Sequence, residues 1–377
     1  MALELNISEI YEQNLNFLIG SGASFGYLPT LQLSLKNSLM EEPFTVETLS
    51  VKLIKQNQET LNTLLFMHYY NSCIKPAIES NPPVPLLPHI LEVIDHYTDF
   101  ISTVSSVIKE KKVNERKCNI YTTNYDGCLE FAAENILSKG GQTVSINDGT
   151  NGFKKRYFHT KNYNNHVIQK GIFDNYSTPT PQINVLHVHG SVYWKKESGH
   201  IVVDYSNQDV GISFSERELE LLSEFSTIVG NENATENDLL DFQHNNEIDC
   251  QAFWSKYNKL PIVNPTKWKF YETVFEENYY QILRHLSFEL ERPNTVFITF
   301  GFSFADEHIL HLVQRSLSNP SLTVYVCCFN ETEKSAMSEK FKDYPNVKLV
   351  TTEGILNFSA FNSQVFTLTN GDETANG

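Results

Sequence analysis

Leu15-Asn16-Phe17-Leu18-Ile19-Gly20-Ser21-Gly22-Ala23-Ser24 is the most informative segment of this 377-residue chain. Its first five residues form a short, mostly apolar run, which is typical of a strand buried inside a sheet. Its last five contain two glycines, which permit a tight turn and let backbone amides face a phosphate at a helix start. A plain glycine turn at a strand end has the same sequence. The segment therefore predicts a strand followed by a glycine-rich loop, with phosphate binding as one of two interpretations.

Further apolar runs follow this segment, and helical patterns separate several of them. We predict strands at 118–122, 184–188, 295–300, 322–329 and 347–350, and helices at 125–137, 304–317 and 332–342. Strands that alternate with helices along the chain form parallel sheets whose two faces are covered by helices. The predicted fold class is therefore α/β, with a Rossmann-like, doubly wound parallel sheet.

The block 45–110 has helical periodicity throughout, with apolar residues at three- and four-residue steps and a proline cluster at 82–88 as a break. We interpret it as an inserted helical subdomain that covers the pocket. Residues 1–44 and 111–355 then form one discontinuous domain. The remaining residues, 356–377, are predicted to be a partly disordered C-terminal tail that is too short for a sensor domain.

Two regions interrupt the alternation of strands and helices. Residues 140–182 contain a basic run among glycines, asparagines and aromatic residues, and we predict a loop-rich excursion there. Residues 212–250 are acidic, with ten Asp or Glu against the single base Arg217. A solvated surface is the usual fate of such charge runs, but opposite-signed surfaces can also form contacts between subunits.

The composition excludes several classes of protein. With 41% hydrophobic residues and no apolar run of about 18 residues, the chain fits neither a disordered nor a membrane protein. With 29 bases against 45 acids it carries a net charge of −16, so we expect nucleic acid to be contacted only through a partner. Six cysteines without a Cys-x-x-Cys pair, and no leader pattern in residues 1–20, predict a soluble cytoplasmic protein without a zinc ribbon.

Four unusual clusters each come directly after a predicted strand. They are Gly20–Ser24, Thr122-Thr123-Asn124-Tyr125-Asp126, His187-Val188-His189-Gly190-Ser191 and Gly301-Phe302-Ser303-Phe304-Ala305-Asp306. In a doubly wound sheet the carboxyl ends of the strands line one crevice, where ligands bind. The four clusters are therefore predicted to converge on one site.

Individual residues in these clusters have more than one interpretation. Asp126 could cap the helix that follows it or contact a ligand, whereas Asn124 has no capping role to explain it. His187 and His189 could form a metal pair if they share a strand face, but no further ligands stand at readable spacing. We interpret His189 as a general base open to the crevice and His187 as structural. Asp306 could cap helix 304–317 or bind a ligand hydroxyl.

The glycine loop does not fit two common phosphate-binding motifs. Phe25 stands where the third glycine of the dinucleotide fingerprint would be, and no Gly-Lys-Ser/Thr follows as in a P-loop. Instead, the order Gly20–Ser24, Thr122-x-Asn124-x-Asp126, His189-Gly190-Ser191, Gly301-x-Ser303 and Phe329-Asn330 resembles the NAD-binding pattern of the sirtuin family. The resemblance spans nearly the whole chain.

The resemblance implies that NAD is the substrate and that the glycine loop binds its phosphates. It implies further that Asn124 and Asp126 lie near the nicotinamide ribose, that His189 is the catalytic base, and that Ser303 and Asn330 face the phosphate and the adenine ribose. The residues assigned to NAD binding are Gly20, Ser21, Gly22, Ala23, Ser24, Thr122, Gly301, Ser303, Asp306 and Asn330, and those assigned to catalysis are Asn124, Asp126 and His189.

The chain also departs from the protein-deacylating sirtuins. Those enzymes carry four zinc cysteines in the region that corresponds to 190–300, where this chain has only Cys250. It is more similar to bacterial sirtuin-like NADases of antiphage defence, in particular those that assemble with HerA-type hexameric ATPases. This implies an NAD glycohydrolase that depletes NAD, contains no metal, forms a homo-oligomer and is gated by oligomerisation or by the ATPase.

Two alternatives remain open from the residues alone. The first is a non-catalytic module that senses NAD or ADP-ribose in the same pocket. The second is a metal-dependent hydrolase or nuclease that uses His187, His189 and Asp126, with the basic run 154–170 as a guide for nucleic acid. Release of nicotinamide from NAD separates the first from an NADase, and sensitivity to a chelator separates the second.

Overall fold

The computed structural model describes residues 10, 12–39, 42–79, 87–140, 144–170, 177–206, 211–242, 248–264 and 273–368. Most of the proline cluster predicted as a break, and residues 370–377 of the predicted tail, lie outside the described residues.

A parallel sheet of seven strands forms the centre of the molecule. In chain order the strands are β1 Asn14–Ile19, β2 Lys117–Thr122, β3 Ser145–Asn147, β4 Gln182–His187, β5 Thr295–Phe300, β6 Leu322–Cys327 and β7 Val347–Val350. Their order across the sheet is β7-β6-β5-β1-β2-β4-β3. The strand order therefore reverses between β1 and β5, which lie side by side.

Helices cover both faces of this sheet, because the strands are apolar on both sides. Phe17 and Ile120 belong to a core formed with helices Pro88–Glu110 and Cys128–Ser138. On the opposite face, Leu18 and Phe297 belong to a second core with helices Thr273–Glu291 and Glu307–Ser316. Helix Glu331–Lys340 lies beside β7. The predicted α/β, doubly wound parallel fold is confirmed.

A row of asparagines crosses four neighbouring strands in register. Asn16 of β1, Asn119 of β2, Asn184 of β4 and Asn147 of β3 face one another in that order. The Asn119 amide donates to Asn16 Oδ1 and the Asn184 amide donates to Asn119 Oδ1, each over 2.8 Å. A buried amide without a partner is costly, so a shift of one residue between these strands would leave several amides unpaired. The row therefore specifies the strand register.

The described parts of the block 45–110 are mostly helical, as the periodicity predicts. They contain helices Val46–Lys55, Glu59–Tyr69 and Lys75–Glu79, a π-helical turn Tyr70–Ile74, and the long helix Pro88–Glu110. Helix Glu59–Tyr69 packs against helices Glu216–Val229 and Cys250–Tyr257, which lie in and just beyond the acidic region. The long helix instead packs directly on the central sheet. It is part of the doubly wound core rather than a cover, and the division into domains stays a prediction.

The basic excursion 140–182 holds more regular structure than predicted. It contributes strand β3, which the sequence does not signal because the strand is only three residues long, only partly buried, and has a single apolar residue, Ile146. Among the described residues, a four-stranded antiparallel sheet contains the strands Trp194–Glu197, His200–Val203, Arg156–Phe158 and Thr150–Asn151. Two smaller sheets pair Gln32–Lys36 with Pro43–Thr45 and Ile168–Lys170 with Ser177–Pro179. The remaining short elements are helix Glu236–Phe242 and the 3-10 helices Ser21–Ser24, Val113–Glu115 and Thr160–Asn164.

The segment predicted as a C-terminal tail is partly core. Helix Phe358–Ala360 runs into a π-helical turn Phe361–Val365, and Phe361 and Phe366 are fully buried. The ring of Phe366 lies 5.1 Å from that of Phe17 in β1. Residues 358–366 therefore belong to the core, because their aromatic side chains close the apolar face under β1. The assignment of 356–377 as a partly disordered tail stays a prediction. Among the described residues, no helix has the length and apolar character that crossing a membrane requires.

Candidate functional site

The ends of β1 and β5 meet where the strand order reverses. The Gly20 amide donates to the Phe300 carbonyl over 2.9 Å, and the Gly22 amide donates to the Gly301 carbonyl over 3.0 Å. A Cβ atom at Gly20 would lie 2.3 Å from the Gly301 oxygen, and Gly301 itself has a φ of +64°. Only glycine at these positions therefore lets the loop after β1 and the loop after β5 approach one another this closely. Because the amides of Gly20 and Gly22 are already engaged, neither donates to a phosphate in this arrangement.

The Asn124 side chain lies between the glycine loop and the core. Its amide nitrogen lies 3.1 Å from the Gly20 carbonyl oxygen, 3.1 Å from Ser24 Oγ and 3.2 Å from the Tyr97 hydroxyl. Its backbone amide donates to Thr122 Oγ1, whose hydroxyl donates to the Ile19 carbonyl. Asn124 is therefore held by the glycine loop after β1, by the end of β2 and by helix Pro88–Glu110, and it connects the three.

A chain of hydroxyl groups leads from this asparagine to Asp126. Ser24 Oγ donates to Asp126 Oδ2 over 2.8 Å, so the Tyr97 hydroxyl, 2.9 Å from Ser24 Oγ, must donate to it. Asp126 Oδ1 accepts from the Cys128 amide. Burial raises the pKa of Asp126, while the Cys128 amide, the Ser24 hydroxyl and His187 oppose that rise. Asp126 thus joins the glycine loop to the start of helix Cys128–Ser138, and its contact with a ligand stays a prediction.

His187 is held away from any ligand by two acceptors. Its Nδ1 lies 3.0 Å from the Asn124 carbonyl oxygen and its Nε2 lies 2.7 Å from Glu130 Oε1. Although burial lowers the pKa of His187, the Glu130 carboxylate and the Asn124 carbonyl raise it above the ordinary value overall. Both ring nitrogens therefore donate, and His187 holds the loop that carries Asn124 in place through its hydrogen bond to the Asn124 carbonyl.

His189 lies beyond the end of β4, so the two histidines do not share a strand face as one interpretation required. The His189 Nε2 atom lies 3.0 Å from Asp306 Oδ2, and its carbonyl accepts from the Val263 amide. The Tyr279 ring stands 6.2 Å from the imidazole. At Gly190 φ is +82° and a Cβ would lie 2.1 Å from the Pro261 oxygen, so glycine is required where segment 261–263 crosses this loop.

Two predicted binding residues do not join this network. Ser303 is exposed, and its carbonyl accepts from Lys340. Asn330 caps helix Glu331–Lys340 by accepting from the Glu333 amide, which explains the residue without a ligand. The contacts of the described residues therefore bring together Gly20, Ser24, Thr122, Asn124 and Asp126 as one network and His189 with Asp306 as a second.

Two further residues hold the site although no motif in the sequence marks them. Tyr97 follows the periodicity of an ordinary core residue in its helix, and Glu130 looks like an exposed helical charge. Neither has a local signal of function. Over the described ranges, no group of three or more His, Cys, Asp or Glu residues is arranged to bind a metal ion.

The comparison with protein families agrees with this geometry. The family defined by the SIR2-like domain matches residues 119–350, which is more than half of the chain, and the chain belongs to this family. The matched range contains Asn124, Asp126, His189 and Asp306, whereas the glycine loop precedes it. A comparison with curated proteins gave no match. SIR2-like domains bind NAD and are often NAD-using enzymes, so an NAD-related function is the conclusion at this level.

Proposed function

We propose that this protein hydrolyses NAD to nicotinamide and ADP-ribose. The observation that carries the proposal is the pair His189 and Asp306 beside the buried Asn124 network, where the ends of β1, β2, β4 and β5 meet. This is the edge of a doubly wound sheet at which ligands bind. Membership of the SIR2-like family supports NAD as that ligand.

The chemistry of the reaction matches the groups present. When the bond between nicotinamide and the ribose C1′ breaks, the electron pair leaves with nicotinamide and the sugar becomes a cationic, oxocarbenium-like species. Water then adds to C1′ and gives up a proton. The chain needs to orient the ribose, admit one water and accept that proton. In the proposal Asn124 and Asp126 orient the ribose and His189 accepts the proton.

The geometry gives less support to the alternatives. A metal site on His187, His189 and Asp126 conflicts with the contacts of His187, since its two ring nitrogens already face Asn124 and Glu130. A sensing module would need the same pocket but no base. The pairing of His189 with a carboxylate is typical of a histidine that moves a proton, and it favours catalysis over sensing.

The proposal includes a physiological role and a control mechanism. An NADase without control would deplete its own cell, so we propose that the protein acts in the cytoplasm in antiphage defence and is gated. In the proposal, NADase activity is controlled by assembly into a homo-oligomer, with a HerA-type ATPase as partner. Two surfaces of opposite charge support such contacts: the exposed hairpin tip 151–155, and helix Glu216–Val229 with its exposed glutamates.

The test is release of nicotinamide and ADP-ribose from NAD by the purified chain, with and without its proposed ATPase partner. We expect equal amounts of both products. His189→Ala and Asn124→Ala should lower turnover by at least about 100-fold. His200→Ala, at an exposed histidine outside the site, is the matched control and should retain turnover. Tight NAD binding without cleavage would support the sensing module, and loss of activity with a chelator would support the metallohydrolase.

A further inference from the structure

We propose that Asp306 is a positioning residue that holds His189 in one tautomer. This inference rests on the proposed NADase activity, because it concerns how the base of that reaction is prepared. The sequence leaves Asp306 open between a helix cap and NAD binding, and the structure adds a contact with His189. Asp306 lies 117 positions from His189 in the chain and meets it through one carboxylate oxygen.

The two carboxylate oxygens of Asp306 contact different groups. Oδ1 accepts from the amides of His308 and Ile309, which caps helix Glu307–Ser316. Oδ2 lies 3.0 Å from His189 Nε2. The side chains of His189 and Asp306 are only 13% and 7% exposed, so water competes little for this contact. The helix cap fixes the carboxylate, and the carboxylate in turn fixes the imidazole.

This arrangement decides which ring nitrogen can act as a base. An ionised carboxylate only accepts hydrogen bonds, so Nε2 must carry its hydrogen and donate it. In the neutral imidazole the lone pair then lies on Nδ1. A water that attacks the ribose C1′ would give its proton to Nδ1, and the carboxylate beside Nε2 would stabilise the imidazolium that forms.

The double contact makes asparagine a discriminating substitution. In Asp306→Asn the single side-chain oxygen is still needed for the helix cap, so the amide group of the new side chain would face His189 and donate to Nε2. That would place the lone pair on Nε2 and the hydrogen on Nδ1, which is the wrong tautomer for catalysis. A serine would keep the cap, because serine caps helices as well as aspartate does, and would leave His189 free to exchange between tautomers.

The experiment compares Asp306→Asn with Asp306→Ser in steady-state NAD hydrolysis. We expect Asp306→Asn to lower kcat by at least about 100-fold with little change in KM, and Asp306→Ser to lower it by only about tenfold. Asp249→Asn is the matched control, because Asp249 caps helix Cys250–Tyr257 and contacts no histidine among the described residues. A role in capping alone predicts near-normal kcat for Asp306→Asn, and a role in binding the ribose predicts a raised KM instead. Either result would overturn the inference.

A second measurement does not depend on activity. Nitrogen NMR of the full chain with labelled histidines reports the tautomer of each imidazole, and the His189→Ala variant identifies the His189 signals. We expect the Nε2–H tautomer in the wild type and the Nδ1–H tautomer in Asp306→Asn. The Nε2–H tautomer in a wild type that does not cleave NAD would leave the positioning role standing and remove the proposed function. A mixture of tautomers in the wild type would contradict the positioning role.

Discussion

His187 and His189 show how strongly the surroundings decide what a residue does. His187 donates from both ring nitrogens to the Asn124 carbonyl and Glu130, and is thereby held as a structural cation. Among the described residues, the carboxylate that His189 meets through Nε2 is that of Asp306, and Nδ1 is the nitrogen assigned to the reaction. Two residues of one type, separated by one valine, therefore have different chemistry because their partners differ.

The charge of His187 leads to a prediction about pH. Its pKa is raised in the folded state, so the folded protein binds more protons than the unfolded chain at pH values just above 6.5, the ordinary histidine value. The free energy of unfolding should therefore fall as pH rises through the folded-state pKa. Glu130→Gln removes the carboxylate that raises this pKa, and we expect the decrease to flatten or reverse. Urea unfolding at several pH values between about 6 and 8 measures the effect.

The comparison has to be made between variants, because other histidines act in the opposite direction. Burial lowers the pKa of His285 to about 4, so its contribution to stability is lost as pH falls. Glu92→Gln is the matched control, since Glu92 pairs with His96 at the surface over 3.9 Å. If Glu130→Gln and Glu92→Gln follow the wild-type pH dependence equally, His187 is not the buried cation that its contacts indicate.

At the scale of elements, sequence patterns identified most of the sheet. The run at 295–300 coincides with β5, because a strand buried on both faces has a nearly continuous hydrophobic signal. The run at 347–350 coincides with β7, an edge strand that is only partly buried and contains Lys348. Strand β3 and the aromatic turn near Phe361 were not recognised. The position of each segment in the fold depends on the distant residues that pack against it. A three-residue strand or a turn with isolated aromatic residues has no local sequence pattern that identifies those partners.

The candidate site was predictable to a similar extent. Asn124, Asp126 and His189 were placed at one sheet edge because each follows a strand, and the structure places them at the ends of β2 and β4. The roles assigned to them stay predictions. The contact between His189 and Asp306 joins residues that are 117 positions apart, and Tyr97 approaches Asn124 from a helix with an ordinary core pattern. No local pattern contains either contact.

The asparagine row supplies a prediction for the strands. Asn119→Ala would leave Asn16 Oδ1 without its donor and the Asn184 amide without one acceptor, in a place where all three side chains are at most 2% exposed. We expect a loss of roughly 2–5 kcal/mol in the free energy of unfolding, from two unpaired buried groups. Asn14→Ala is the control, because the Asn14 side chain donates to Pro293 at the partly exposed start of β1. Denaturant unfolding should show a change below about 1 kcal/mol for that variant, and equal losses in both would contradict the register role.

At the scale of the whole molecule, charge is distributed unevenly. The chain has a net charge of −16, yet residues 149–170 contain five bases and no acid. The hairpin tip within them is exposed, and Phe153 at its centre is as exposed as a residue in an open chain. On helix Glu216–Val229, Leu219 is 46% exposed between Glu216 and Glu220. Each surface thus combines an exposed apolar side chain with charges mainly of one sign, basic on the hairpin and acidic on the helix, where Arg217 is the only base.

These surfaces predict how copies of the chain associate. Contact between the hairpin of one copy and the acidic helix of the next is heterologous, and such contacts close into rings when the rotation permits. We expect Lys154→Glu and Glu220→Lys each to dissociate the oligomer in light scattering, and the double variant to restore it, because the charges are exchanged across the contact. High salt should weaken the wild-type oligomer, since exposed charges are screened within about 10 Å at 0.1 M ionic strength. Lys342→Glu, at an exposed lysine paired with Glu339 elsewhere, is the control with the same charge change as Lys154→Glu and should leave the oligomer intact. A wild type that stays monomeric, or a double variant that does not reassociate, would show that these surfaces do not join copies of this chain.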